Sequence, residues 1–242
     1  MIRFSGFGTV GLLRTNSDEG EYKRELQAKG ATTRTTALVD SNLGLQLDGR
    51  IAPWATATVQ SLTMQRNTPQ MTTRLEWAFV KLMPLDDLTV RVGKLNAPVF
   101  MISDSRRIGY ANTALRPSDE VYSLDLLTGG LTGAEGSWRF RFGGKSLTAT
   151  LLAGRSKYSD VPIPSIKVHG VKGLNLVWDG DWYQVRLGQV VASPQLDPLS
   201  DLMSPLLQPG QQLSDVRYKF SGLGLTAERN GVLVQSEYVR RR

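Results

Sequence analysis

Apolar and polar residues alternate along this chain in runs of about ten, the length and period of strands that face two different environments. From 72 to 83, Leu75, Trp77 and Phe79 fall on one predicted face while Arg74, Glu76 and Ala78 fall on the other, because successive side chains of a strand point to opposite sides. Residues 88 to 93 repeat this, with Leu88, Val90 and Val92 against Thr89, Arg91 and Gly93. Trp138, Phe140 and Phe142 oppose Ser137, Arg139 and Arg141; Tyr183, Val185 and Leu187 oppose Gln184 and Arg186; Tyr218 and Phe220 oppose Arg217 and Lys219. One face suits hydrocarbon and the other suits water.

Eleven strands are predicted, near 2–14, 41–50, 53–65, 72–83, 88–95, 129–142, 146–155, 166–178, 182–192, 215–228 and 231–240. The short links carry tight-turn chemistry: Ile51-Ala52-Pro53, Pro84-Leu85-Asp86-Asp87, Gly143-Gly144-Lys145, Asp179-Gly180-Asp181 and Asn230-Gly231. The long links, at 15–40, 96–128, 156–165 and 193–214, are polar or rich in proline, and 66–71 is intermediate. Strands of alternating polarity joined by turns that are short, then long, predict one all-β domain over 1–242, an antiparallel transmembrane β-barrel. In such a barrel the short turns face the periplasm and the long loops face outward.

Composition narrows the alternatives. The 242 residues are 40% hydrophobic and 21% charged with a mean hydropathy of -0.21, averages that would suit an ordinary soluble domain and conceal the alternation. No apolar run reaches the ~18 to 20 residues of a spanning helix, which excludes a helical membrane protein but not a barrel. Cysteine is absent, removing disulfide scaffolds, thiolate metal sites and cysteine nucleophiles together. Met1-Ile2-Arg3-Phe4-Ser5-Gly6 runs straight into strand pattern with no signal-peptide layout ahead of it, so export is expected of a mature form. Trp178 and Trp182 flank the turn at 179–181, and Trp54 follows another short turn. Amphipathic aromatics favour the membrane interface, so these three are expected to form a girdle at the periplasmic rim; the alternative is ordinary cross-strand packing.

Phe4-Ser5-Gly6-Phe7-Gly8-Thr9-Val10-Gly11-Leu12, and the block from Leu88 to Tyr122 with Val90-Arg91-Val92-Gly93-Lys94-Leu95, Pro98, Ser103-Asp104, Gly109-Tyr110 and Arg116-Pro117, resemble Gram-negative porin-like proteins. The resemblance covers essentially the whole chain with moderately specific motifs. It implies a homotrimeric, water-filled outer-membrane channel of ~16 strands that passes small hydrophilic or anionic solutes. Such barrels have an even strand count, and eleven to twelve are predicted here. At ~22 residues per strand, ~16 strands need roughly 350 residues, so the sequence is read as a truncated member, with a separately closed barrel of 10 or 12 strands as the alternative. The ending Val239-Arg240-Arg241-Arg242 also lacks the terminal aromatic that members tend to carry.

Arg74, Glu76, Arg91, Arg139, Arg141, Arg186, Arg217 and Lys219 occupy the polar phase and are the expected pore lining. With 29 Lys and Arg against 22 Asp and Glu, net +7, such a lining would attract anions weakly. The link at 96–128 is far longer than the ~2 to 6 residues usual in soluble domains and holds Asp104, Arg106, Arg107, Arg116, Asp119 and Glu120. By resemblance to porins it folds into the lumen as a constriction, with Arg106, Arg107 and Arg116 as its positive side.

Sharper-looking motifs carry less. Gly6-x-Gly8-x-x-Gly11 lacks the strand before it and the helix after it that dinucleotide binding requires. His169 is the sole histidine, with no neighbouring ligand set, so neither a zinc site nor a serine-histidine nucleophile is expected. No cofactor and no enzymatic activity are therefore predicted. A pI near 9.8 admits nucleic-acid binding, but the arginines are dispersed one per strand, away from stacking aromatics, so no nucleic-acid partner is expected. An adhesin-like outer-membrane barrel without conductance is the other rival.

Overall fold

The computed structural model describes residues 1–24, 27–98, 100–112, 118–122, 130–158, 166–195 and 217–242. Among them eleven strands make one sheet: β1 (Ile2–Thr9), β2 (Asn42–Ala52), β3 (Ala55–Gln65), β4 (Met71–Leu85), β5 (Leu88–Leu95), β6 (Leu131–Phe142), β7 (Lys145–Tyr158), β8 (Ile166–Asp179), β9 (Tyr183–Gln195), β10 (Tyr218–Arg229) and β11 (Val232–Arg241). Each strand pairs antiparallel with its sequence neighbour, so the sheet is an unbroken meander with β1 and β11 as its two edges. A 3-10 turn (Gly109–Ala111) and a four-residue helix α1 (Asp119–Tyr122) lie between β5 and β6. β1 stops at Thr9, short of the expected 14; Leu13 bridges Thr36 instead, inside a link that doubles back on itself through Tyr22 and Ala31.

The short links form because their residues accept the geometry of a hairpin. Asn230 and Gly231 both take positive φ, 52° and 77°, the pair of conformations that turns β10 into β11 in two residues. At Gly93 the requirement is closeness as well as φ: it sits at +138°, and a Cβ there would lie 2.3 Å from the Ala78 carbonyl oxygen. Gly93, Gly133 and Gly154 stand opposite one another across β5, β6 and β7, and a Cβ on Gly133 would fall 2.1 Å from the Ala153 carbonyl oxygen. The strands close up along this row in a way only glycine permits.

The two faces differ in kind. Leu43, Leu45 and Leu47 of β2, Val92 of β5, Leu151 of β7, Leu187 of β9 and Leu223 of β10 lie on one side and are exposed. Gln60, Thr58, Glu135, Thr150, Asn175 and Arg186 lie on the other and are buried. On that inward face Gln46 donates to Asp48 (2.8 Å), Thr58 donates to Asp48 (2.7 Å) and Gln60 donates to Gln46 (2.8 Å), joining β2 and β3 through side chains. The apolar core is inward too, but local: Ala97 and Phe100, from the segment after β5, pack on Leu131, Leu152, Val168, Val171, Val190, Ala192 and Phe220 of β6 to β10.

Two phase assignments differ from the alternation. In β4 the register with β3 shifts at Glu76, so Leu75 pairs with Ser61 and Trp77 with Gln60. This bulge puts Arg74, Trp77 and Phe79 together on the inward face and Leu75, Ala78 and Val80 outward, because one extra residue reverses every side chain beyond it. In β10, Tyr218 and Phe220 face inward, opposite Ala192 and Val190, while Lys219 shares the outward face with Val191. Phe220 is fully buried beneath Phe100 (rings 5.1 Å apart), so an inserted segment makes the inward face apolar at this end.

Candidate functional site

The inward face is built around the segment that leaves β5 at Asn96. Ser103 closes its first turn, donating from Oγ to the Phe100 carbonyl (3.0 Å) and accepting from the Phe100 N–H (2.8 Å). That turn rests on three polar anchors. Arg186 of β9 donates from Nε to Asn175 Oδ1 (2.8 Å) and from its two terminal nitrogens to the carbonyls of Phe100 and Pro98. Glu237 of β11 accepts the Met101 N–H (2.8 Å) and the Tyr122 hydroxyl. Arg91 of β5 holds Glu135 of β6 in a bidentate pair and reaches Asp104 at 3.9 Å. Burial, then the hydrogen bond to Glu237, pushes the Tyr122 hydroxyl above its usual range, so it stays a donor. The segment is thus held against the inward face of the sheet.

Charge separates across this face. Asp104, Glu135 and Glu237 gather around Arg186. On the β3 side Arg106 and Arg107 meet Arg24, Asp40, Ser41, Asn42 and Met64 around a small cavity. Arg66, nearby, donates to the carbonyls of Thr72 (2.8 Å) and Leu62 (3.4 Å). Burial, then the positive neighbours Arg106, Arg24 and Arg66, pulls the Arg107 guanidinium down to about 9, with Glu76 acting against them. The carboxylates of the first group are matched by Arg91 and Arg186, whereas the second group is predominantly positive.

The expected lining divides accordingly. Arg74, Arg91, Arg139, Arg141 and Arg186 occupy inward register positions; Glu76 is the bulged residue of β4, near Arg107. Arg139 and Arg141 lie near the short turns, where Arg141 pairs with Asp87 at 2.8 Å. Arg217 and Lys219 are corrected: Lys219 faces outward and Arg217, before the inward Tyr218, is exposed at the same end. Of the expected constriction, Asp104, Arg106 and Arg107 lie in the inserted turns, Asp119 and Glu120 fall in α1, and Arg116 lies outside the described residues. Trp54 and Trp182 are exposed beside short turns, with Trp178 half-buried. Trp138, Phe140 and Phe142 extend this aromatic band, Phe142 stacking on Trp178 at 6.0 Å.

Sequence reasoning missed Glu135, Asn175, Arg24, Arg66 and Tyr122. Glu135 shares parity with Ser137 and Arg139, which was signal enough; Arg24 and Tyr122 lie in links, where parity says nothing. Among the described residues no group of three or more His, Cys, Asp or Glu could hold a metal, and no helix is long and apolar enough to cross a membrane, a finding silent on barrels. His169 faces outward opposite Ser193. No protein-family model matches this sequence, and no curated protein matches it.

Proposed function

We propose that this chain forms the wall of a bacterial outer-membrane porin, a water-filled homotrimeric channel for passive diffusion of small hydrophilic solutes with a weak preference for anions. One observation carries the proposal: the outward face carries large exposed apolar side chains while polar side chains are buried on the inward face, beside a local apolar cluster. Leu151, Leu187 and Phe142 are 65%, 52% and 52% exposed, while Gln60, Glu135 and Asn175 are 4%, 5% and 7% exposed. Water would penalise the first set at about 25 cal/mol per Å² of apolar surface, and hydrocarbon removes that penalty. The aromatic band beside the short turns sits where a periplasmic interface would be.

Strand direction bears on closure. Neighbours in the meander alternate, so β1 and β11 of the eleven strands point the same way and cannot pair antiparallel with each other. Closing such a sheet with antiparallel pairs throughout takes an odd number of further strands; about five would reach the ~16 of a channel-forming barrel.

The arginines near Arg107 give the anion preference its source. In planar bilayers under a salt gradient, native-length protein is expected to conduct with a reversal potential on the anion side. Arg106→Glu/Arg107→Glu should move that potential toward cations, and an unmoved potential would remove the constriction from the proposal. The apolar cluster beneath Phe100, which fills concave space, favours a second reading, a barrel without conductance. Protein that inserts yet passes no current would establish that second reading.

A further inference from the structure

Near the long links, the outward face of β7 to β11 carries charge of one sign. Arg155, Lys157, Lys167, Lys172, Lys219 and Arg240 take outward register positions there, and among the described residues no aspartate or glutamate of these strands does. Cations on a wall facing hydrocarbon are costly unless they lie at the interface, and these all lie toward one rim. A groove of about 470 Å³ opens on this same face across β9, β10 and β11. It is lined by Leu187, Leu223 and Tyr238 and by Lys219, Arg240 and Arg242. Leu187, Leu223 and Tyr238 are aligned in register across the three strands. Lys219 lies four residues, ~13 Å, along β10 from Leu223, with Arg242 directly opposite it.

The groove is therefore amphipathic along the strand direction, cationic at the rim and apolar below it. We infer that it docks an anionic membrane lipid, its phosphate headgroup held by Lys219, Arg240 and Arg242 and its acyl chain lying over Leu187, Leu223 and Tyr238. Guanidinium and ammonium groups supply charge-assisted hydrogen bonds to phosphate oxygens, and the leucines and tyrosine offer the chain a surface of its own kind. The site rests on the membrane reading proposed above. It also accounts for the outward placement of Lys219, which a wall meeting only neutral hydrocarbon would not favour.

The test uses native-length protein in micelles containing equal phosphatidylglycerol and phosphatidylcholine, with retained lipid counted by native mass spectrometry. Wild type is expected to retain phosphatidylglycerol by roughly tenfold over phosphatidylcholine. Lys219→Gln/Arg240→Gln/Arg242→Gln should abolish most of that preference, while Arg139→Gln/Arg141→Gln, at the other end and on the inward face, should keep it. Equal retention by wild type, or an unchanged preference in the triple variant, overturns the site. Displacement of the lipid by excess inorganic phosphate would show a site for free anion and overturn it as well. A separate arm adds the protein to vesicles of phosphatidylcholine alone: insertion there keeps the membrane reading whatever the lipid preference, and failure to insert removes that reading and this site together.

Discussion

Arg91 and Glu135 stand directly opposite each other in the β5–β6 register and meet as a fork, with Arg91 Nη2 at 2.8 Å from Oε1 and 2.9 Å from Oε2 of Glu135. Phe79 lies 5.5 Å from the guanidinium, and the Glu135 side chain is only 6% exposed. Water therefore does little to compensate the Glu135 carboxylate if Arg91 is removed, and without Glu135 the Arg91 guanidinium keeps only the longer 3.9 Å contact with Asp104. Glu135→Leu is expected to destabilise the protein by about 3 kcal/mol, read as a lower urea midpoint in detergent. Arg91→Met/Glu135→Leu should recover most of that loss, since a buried pair replaced as a unit leaves no charge stranded.

Gly93 is expected to resist every side chain. Its φ of +138° and the 2.3 Å approach of the Ala78 carbonyl combine strain with collision. Gly93→Ala should cost roughly 2 kcal/mol or more, whereas Gly136→Ala, where nothing lies within 4 Å, should change the same unfolding midpoint little.

The inserted segment depends on Glu237, which accepts from the Met101 N–H at 2.8 Å and from Tyr122. Each hydrogen bond to a charged group contributes about 1.5 to 3 kcal/mol, so Glu237→Ala should release the segment. Trypsin cleavage after Arg106 and Arg107 should then accelerate about tenfold or more while the strands stay intact, followed by gel and mass spectrometry.

Tyr122 sets a pH dependence. Its proton is held above the usual tyrosine range by burial and by Glu237, so the folded pKa exceeds the unfolded one. A raised pKa means the stabilisation is complete below the unfolded value, near 10, and is lost as pH rises through the folded value. Between about pH 9.5 and 11 the tyrosinate absorbance change of folded wild type should match that of Tyr122→Phe, because Tyr122 does not ionise in that window.

By itself the sequence determined an all-β chain, the eleven strands found among the described residues, where the short turns fall, and the alternation of apolar and polar positions along each strand, since period-two alternation and Gly, Asn and Asp punctuation are local properties. It also placed Asp104, Arg106 and Arg107 in a long insertion. Which face of a strand turns inward is not local. The bulge at Glu76 reversed Trp77 and Phe79, and Phe100 made an apolar inward pocket for Phe220 that sent Lys219 outward. The tertiary structure alone decided that Arg186 and Glu237 hold the insertion down, because their partners Phe100, Pro98 and Met101 lie 86, 88 and 136 residues away along the chain.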